Sequence, residues 1–424
     1  FHYFKSFISL FINNSFWLFF GFLLISLLPA LELWNWGFWK EYDLDNVRIN
    51  TITANGTAYI AITFILWQFK RFAGTNILSF ITPSITIVYL TVFSFFIFSR
   101  LGYSRHVLLT GYSLNLAYFF LIHFLIQKYQ TINYAVLPFT NIEYLNKNKY
   151  IQKIQFIFLK QPSLINLKVR GIIADLHSNQ LDKVWGKFLA QCALEHIPVL
   201  HIKQVQEALT GRIQIEHLSE NQFGSLLPSP LYIVMKRFLD ILIIIITLPF
   251  TLLIMLIVAV TIKIESKGNI IYTQKRVGLC NKDFKIYKFR SMTMDAETAG
   301  AMLAQSNDMR ITKVGFWIRK TRIDELPQIW NVLKGDMSLI GPRPEQRIFV
   351  NQFEENIPFY IYRHIVRPGM TGWAQVMQGY TSNEDDTTIK IQYDFYYIKH
   401  FSFWLDILIF LKTIRVIITG FGAK

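Results

Sequence analysis

Four runs without a charged side chain open the chain: Ser6–Leu31, Ile49–Phe69, Phe72–Ser99 and Val107–Gln127. Each meets the roughly 20-residue length that a helix needs to cross a hydrocarbon core. The pattern predicts an N-terminal four-helix transmembrane domain over residues 1–128. The loop before the second run carries Glu32, Glu41, Asp43 and Asp45, whereas Lys70 and Arg71 separate the second from the third. The positive-inside rule puts the acidic loop outside and Lys70-Arg71 in the cytoplasm, although Arg100 and Arg105 run against it. An even number of crossings returns the chain to the side where it began. The first run is too long for the core of a cleavable signal peptide, and the true N-terminus is expected upstream of Phe1.

From about Lys128 the sequence turns polar, and the period changes. Segments 154–159, 169–175 and 198–202 read as short strands. Between the last two, Leu181, Val184, Trp185, Phe188, Leu189 and Cys192 share a helical face. Alternating strand and helix predicts a small, Rossmann-like α/β module with a parallel sheet over 129–228. Its glycines stand singly, so no phosphate-cradling loop is expected, and a structural or regulatory module is the better reading.

Lys236-Arg237-Phe238-Leu239-Asp240 then precedes an uncharged stretch, Ile241–Ile262, with Pro249 near its middle. Cations flank both ends, and a proline removes one helical hydrogen bond. The expectation is a re-entrant helix over 231–263, hinged at Leu248-Pro249, that enters and leaves on one side. Lys236, Arg237 and Asp240 at its start either anchor it or meet a lipid phosphate. Residues 403–418 alternate apolar clusters with Asp406, Lys412 and Arg415, which suits an amphipathic helix in the interface or an ordinary core helix.

Composition supports the membrane reading. The 424 residues are 52% hydrophobic and 16% aromatic, with a net charge of +15. Such a balance is poor for a soluble enzyme, and the charge suits anionic membrane lipids or substrates. Nucleic acid is not an expected partner, because the cations are dispersed among apolar segments without a binding motif. Cys192 and Cys280 are the two cysteines, and no disulfide framework is expected.

Chemistry concentrates in residues 319–345, where Asp324 and Glu325 lie between Arg319 and Arg322 on one side and Arg343 on the other. The arginine fork binds phosphate in bidentate fashion, and Mg²⁺ takes one or two carboxylates together with substrate phosphate oxygens. The same stretch also suits a helix N-cap at Asp324, with Pro327 in the first turn.

KIYKFRSM with Arg290, then Asp324-Glu325, GDMSLIGPRPE (335–345) and RPGMTGWAQV (367–376) follow in that order. The set resembles the bacterial sugar transferases, the polyprenyl-phosphate glycosyl-1-phosphate transferases, from Leu231 to the C-terminus. The whole chain resembles the long, multi-domain form typified by undecaprenyl-phosphate galactose phosphotransferases. The resemblance implies a mostly helical catalytic domain at the membrane surface over 229–424, with the re-entrant helix. It implies transfer of hexose-1-phosphate, galactose favoured and glucose next, from a UDP-sugar to undecaprenyl phosphate. Such transfer begins O-antigen, capsule or exopolysaccharide synthesis at the cytoplasmic face of the bacterial inner membrane. By the same resemblance Asp324 is a covalent nucleophile, Glu325 supports it and a Mg²⁺ site, and Arg319, Arg343 and Arg290 bind substrate phosphate. A homodimer is compatible with it. Two positions depart from the family pattern: Asn281 stands where glycine is common, and Met377 where asparagine is common.

A non-catalytic polytopic scaffold of a polysaccharide assembly complex is the competing reading, opposed by the intact acid pair and its arginines. A transporter does not fit, because the densest chemistry lies outside the apolar runs.

Overall fold

The long uncharged runs satisfy their own backbone groups as helices, which is the requirement lipid imposes. The computed structural model describes residues 14–34, 46–72, 77–129, 132–140, 142, 154–163, 169–176, 178–213, 227–293, 310–378 and 384–419. The chain divides into two compact units, Phe1–Thr210 and Gly211–Lys424.

In the first unit, α1 (Asn14–Trp34), α2 (Asn46–Phe69), α3 (Leu78–Ser99) and α4 (Arg105–Tyr129) form a four-helix arrangement in which each packs on the next and α4 closes on α1. α2, α3 and residues 105–126 of α4 are long and apolar enough to cross a membrane; the described apolar part of α1, Phe16–Leu31, is shorter. Small and polar residues hold the interior. A Cβ on Gly111 would lie 2.3 Å from the Asn55 amide oxygen, so glycine permits that close approach. Asn55 and Asn115 are fully buried and joined through Tyr89, whose hydroxyl donates to Asn55 at 3.0 Å and accepts from Asn115 at 2.9 Å. Such interhelical bonds are the polar glue of membrane bundles. Phe19, Phe95, Ile97 and Phe98 point outward, as lipid-facing side chains do.

The same unit holds a four-stranded parallel sheet in the order β2-β1-β3-β4, built from β1 (Ile132–Val136), β2 (Ile154–Phe158), β3 (Gly171–Ala174) and β4 (Val199–His201). β1 is central but was not among the strands expected. It is short and follows the end of α4 closely, so its apolar residues merge with the preceding run. Helix α5 (Lys183–Leu194) begins at an Asp182 N-cap and buries Leu189 and Cys192, with Trp185 and Phe188 packed beside them. Val184 leaves the expected face and is 58% exposed, because its position in the first turn points away from the sheet. α6 (Ile202–Thr210) follows β4 directly.

The second unit opens with α7 (Pro230–Glu265), an uninterrupted 36-residue helix containing Pro249. Its buried residues fall in two groups, Tyr232 to Ile244 and Val258 to Ile262, and everything from 245 to 257 is exposed or half-buried. The first group reaches a core with Ile286, Ile329, Val332 and Met337; the second reaches Phe289 and Ile318. Leu248 is half-buried and Pro249 exposed, and Thr247 and Thr251 donate hydroxyl hydrogen bonds to carbonyls of the preceding turn.

An antiparallel hairpin follows, β5 (Ile271–Val277) and β6 (Asp283–Phe289). Cys280 and Asn281 turn it with φ of 54° and 60°, so Asn281 takes the left-handed conformation that glycine would supply. Arg347 fastens this turn by donating to the Asn281 side-chain and main-chain oxygens, both at 2.7 Å. Helices α8 (Lys313–Lys320) and α9 (Ile329–Lys334) flank a 3-10 turn, Ile323–Gln328. β7 (Ser338–Ile340) and β8 (Gly369–Thr371) pair in parallel. α10 (Arg347–Asn356), α11 (Trp373–Met377), α12 (Glu384–Lys399) and α13 (Phe403–Thr419) complete the unit. α13 serves both readings of its pattern. Leu405, Leu408 and Ile409 are buried in the domain, while Phe410, Ile414 and Ile417 form an exposed apolar stripe.

Candidate active site

The acid pair sits in the 3-10 turn between α8 and α9. α8 stops at Thr321, Arg322 adopts a left-handed φ of 58°, and the chain re-enters a tight turn at Ile323. Asp324 is therefore inside the first turn and makes no cap: no side-chain capping bond is present at this start. The N-cap expectation fails because the helical start lies two residues earlier, at Arg322. Side chains of consecutive residues in a 3-10 turn diverge by about 120°. Glu325 points inward and is 7% exposed, whereas Asp324 is half-buried.

Glu325 is engaged through one oxygen. Its Oε1 accepts from Arg343 Nη2 at 2.9 Å and from Lys288 Nζ at 3.0 Å. Burial alone would raise its pKa, but Arg343 and Lys288, with help from Arg322, outweigh burial and hold it well below the usual carboxylate range. Asp324 responds in the opposite direction. Burial and the adjacent Glu325 charge push it up to about 6, against the pull of Lys288, Arg319 and Arg343. Among the described residues no hydrogen bond or ion pair engages the Asp324 carboxylate or the half-buried Arg319 guanidinium. One acid is thus a fixed, ionised anchor, and the other an uncommitted carboxylate.

Lys288 was not among the residues singled out from sequence. It lies two positions before Arg290 on β6, within the KIYKFRSM motif. Asn331 holds that strand in place. Its amide accepts from Tyr287 N–H at 3.1 Å and donates to the Lys285 carbonyl at 2.6 Å, joining α9 to the edge of β6.

Other expected site residues have structural partners. Arg290 is 8% exposed and donates to the Ser266 carbonyl at 2.9 Å and the Lys267 carbonyl at 3.0 Å, closing the C-terminal end of α7. Lys236 pairs with Asp406 of α13 at 2.5 Å, and both side chains are 9% exposed. The same carboxylate accepts from Tyr232 and Tyr397. Arg237 donates to the Val332 and Leu333 carbonyls at the end of α9, and Asp240 accepts from Ser338 at 2.7 Å. Met377 meets Lys412, whose Nζ lies 3.1 Å from the thioether sulfur.

GPRP and RPGMTG, separated in sequence, meet along the β7–β8 pair. A Cβ on Gly369 would fall 2.0 Å from Gly341 N, and one on Gly372 would fall 2.2 Å from Gly341 O. The backbones approach that closely because both sides are glycine.

The donor set suits a hard divalent cation. Two adjacent carboxylates offer oxygen ligands, Asp324 is unpartnered, and among the described residues no larger His/Cys/Asp/Glu group competes. Mg²⁺ is satisfied by such a pair when substrate phosphates complete its shell.

This is the arrangement of an enzyme that handles phosphate: an uncommitted carboxylate, a fixed one and arginines around both. The family of bacterial sugar transferases matches residues 231–420. The chain is 51% identical over 406 residues to the UDP-N-acetylgalactosamine-undecaprenyl-phosphate N-acetylgalactosaminephosphotransferase of Aeromonas hydrophila, covering 96% of this chain and 95% of that protein. It is 37% identical over 228 residues to the UDP-glucose:undecaprenyl-phosphate glucose-1-phosphate transferase of Klebsiella pneumoniae, covering 53% of this chain and 48% of the other. It is 40% identical over 204 residues to the galactosyl transferase CpsE of Streptococcus agalactiae, covering 46% and 44%. The chain belongs to the bacterial sugar transferase family and is a membrane-associated phosphoglycosyl transferase of the polyprenyl-phosphate glycosyl-1-phosphate class.

Proposed function

We propose that the protein transfers N-acetylgalactosamine-1-phosphate from UDP-N-acetylgalactosamine to undecaprenyl phosphate, releasing UMP. The observation that carries the reaction is the unpartnered, half-buried Asp324 beside the ion-paired Glu325. The sugar rests on the relative that matches almost end to end, in place of the galactose expected from sequence. The reaction would begin O-antigen, capsule or exopolysaccharide synthesis on the cytoplasmic face of the inner membrane.

In this mechanism an Asp324 carboxylate oxygen attacks the sugar-bearing phosphorus. The bond from that phosphorus to the UMP oxygen breaks, UMP departs with the other phosphate, and an aspartyl-phosphosugar remains. An oxygen of the lipid phosphate then attacks the same phosphorus, the aspartyl bond breaks, and Asp324 is regenerated. Arg319 and Arg343 neutralise phosphate charge, while Lys288 and Arg343 keep Glu325 ionised. Asp324 and Glu325 are the residues that would hold Mg²⁺, which supplies further charge neutralisation when bound.

Three parts divide this work: a transmembrane domain over 1–128, a Rossmann-like module over 129–228, and the catalytic domain over 229–424. α7 is read as re-entrant, and its packing supports that. Both ends rest on the same domain: Asp240 on Ser338 near the start, and Glu265 accepting from Val314 N–H at 3.0 Å near the finish. The helix as a whole is long and apolar enough to cross a membrane, so it is the shared packing of its two ends that supports the re-entrant reading.

UMP release from UDP-N-acetylgalactosamine, UDP-galactose and UDP-glucose, with purified protein, Mg²⁺ and undecaprenyl phosphate, tests the reading. UDP-N-acetylgalactosamine should turn over fastest. Preference for another sugar would reject the sugar assignment, and silence with all three would favour the scaffold.

A further inference from the structure

The loop that carries Arg343 is bonded at successive main-chain positions. The Pro342 carbonyl accepts from Gly369 N–H at 2.9 Å, Arg343 from Arg363 Nη2 at 2.9 Å, Pro344 from Arg276 Nη1 at 3.2 Å and Glu345 from Val277 N–H at 2.9 Å. Prolines on both sides of Arg343 fix their own φ as well. Rigid support is what a phosphate-binding arginine needs, since its guanidinium must be held at one distance from the reacting group.

The bond to the Arg343 carbonyl has a distinctive source. Arg363 is 2% exposed and is itself locked on two sides. Its Nε and Nη2 donate to Asp394 Oδ2 at 3.1 and 2.7 Å, and Nη1 donates to the Tyr360 hydroxyl at 2.9 Å. Asp394 is 1% exposed. A buried ion pair is a weak source of stability, because apolar residues of similar volume often serve as well. Arg363 also lies beside Glu345 and helps hold that carboxylate below the usual range, so it balances two buried acids while its Nη2 reaches the Arg343 main chain.

We propose that Arg363, held by Asp394, is a positioning residue that fixes the Arg343 main chain so that the Arg343 guanidinium is presented to Glu325 and to the substrate phosphate. The proposal rests on the reading of Arg343 as a phosphate ligand. Displacement of a positioned group by about 1 Å can cost on the order of 100-fold in rate. Lysine at 363 keeps a charge for Asp394 but cannot also span to the Arg343 carbonyl with a fork of donors.

The test is a double-mutant cycle on kcat/KM for UDP-N-acetylgalactosamine, with the full chain in lipid nanodiscs, undecaprenyl phosphate and Mg²⁺. Arg363→Lys is expected to lose about 10- to 100-fold while its thermal unfolding stays close to wild type. Combined with Arg343→Lys, it should be no slower than Arg343→Lys alone, because it acts through that residue. Multiplied losses would mean an independent structural effect and overturn the proposal. Arg363→Met with Asp394→Leu, which removes both charges of the pair and leaves Glu345 with Lys390 and Arg276, should be folded and as slow as Arg363→Lys; wild-type turnover in it would also overturn the proposal. Arg343→Lys at the wild-type rate would reject the phosphate-ligand reading itself. A slow Arg343→Lys beside a fast Arg363→Lys would reject the positioning role alone.

Discussion

Arg343 Nη2 lies 2.9 Å from Glu325 Oε1, so a charged contact joins the GPRP loop to the acid-bearing turn. Lys288 reaches the same oxygen from β6. The contact explains how two adjacent carboxylates come to differ: cations claim Glu325, and Asp324 is left raised and uncommitted.

Neutralising Glu325 should change the behaviour of its neighbour. The Glu325 charge raises the Asp324 pKa, so Glu325→Gln is expected to move the acid limb of the pH–rate profile to lower pH. Turnover at neutral pH should fall by roughly 100-fold, because Lys288 and Arg343 lose the group that orients them. An unchanged acid limb in UMP-release assays would show that Asp324 does not feel Glu325.

Asp324 should cost the protein stability at neutral pH. Its folded pKa of about 6 lies above the ordinary aspartate value, so the folded state holds its proton more tightly than the unfolded one. Stability from this group is present at low pH and declines as pH rises from about 4 through about 6. Asp324→Asn removes that penalty. Thermal unfolding should find the variant more stable than wild type at pH 7.5, with the difference vanishing near pH 4; lower stability at pH 7.5 would contradict the assignment.

The ends of α7 should share one side of the membrane. In a background with Cys192 and Cys280 replaced by serine, Leu231→Cys and Asn269→Cys should both react with an impermeant maleimide from the cytoplasmic side. Labelling from opposite sides would make α7 a full crossing.

Asp406 and Lys236 tie α13 to α7 at a site sheltered from solvent. Lys236→Met alone leaves the Asp406 charge buried and should destabilise the protein by about 3–5 kcal/mol. Adding Asp406→Leu should recover most of that loss in thermal unfolding. Failure to recover would mean that the Tyr232 and Tyr397 hydroxyls, which also donate to Asp406, depend on that carboxylate as much as Lys236 does.

Local features of this fold were legible in the sequence, and tertiary partnerships were not. Runs free of charge announced α1 to α4. The adjacency of Asp324 and Glu325 among arginines marked the site. Nothing in the sequence assigned Lys288 to Glu325 or Asp406 to Lys236, because each pair joins elements far apart in the chain. Arg290 illustrates the same limit. It looks like a phosphate ligand in its motif, yet its donors close the end of α7, a use that depends on where that helix stops. β1 was hidden by its closeness to the last membrane run, and Val184 is exposed although Leu181 and Trp185 on either side of it pack on the core.

The central claim is that Asp324 carries the phosphosugar before the lipid receives it. Purified protein should be mixed with UDP-N-acetylgalactosamine and Mg²⁺ without lipid, quenched rapidly in acid and weighed intact. An added mass equal to one N-acetylhexosamine phosphate, absent from Asp324→Asn and discharged by undecaprenyl phosphate, is the predicted result. Full turnover with no adduct at any quench time, together with intersecting initial-rate lines for the two substrates, would contradict it.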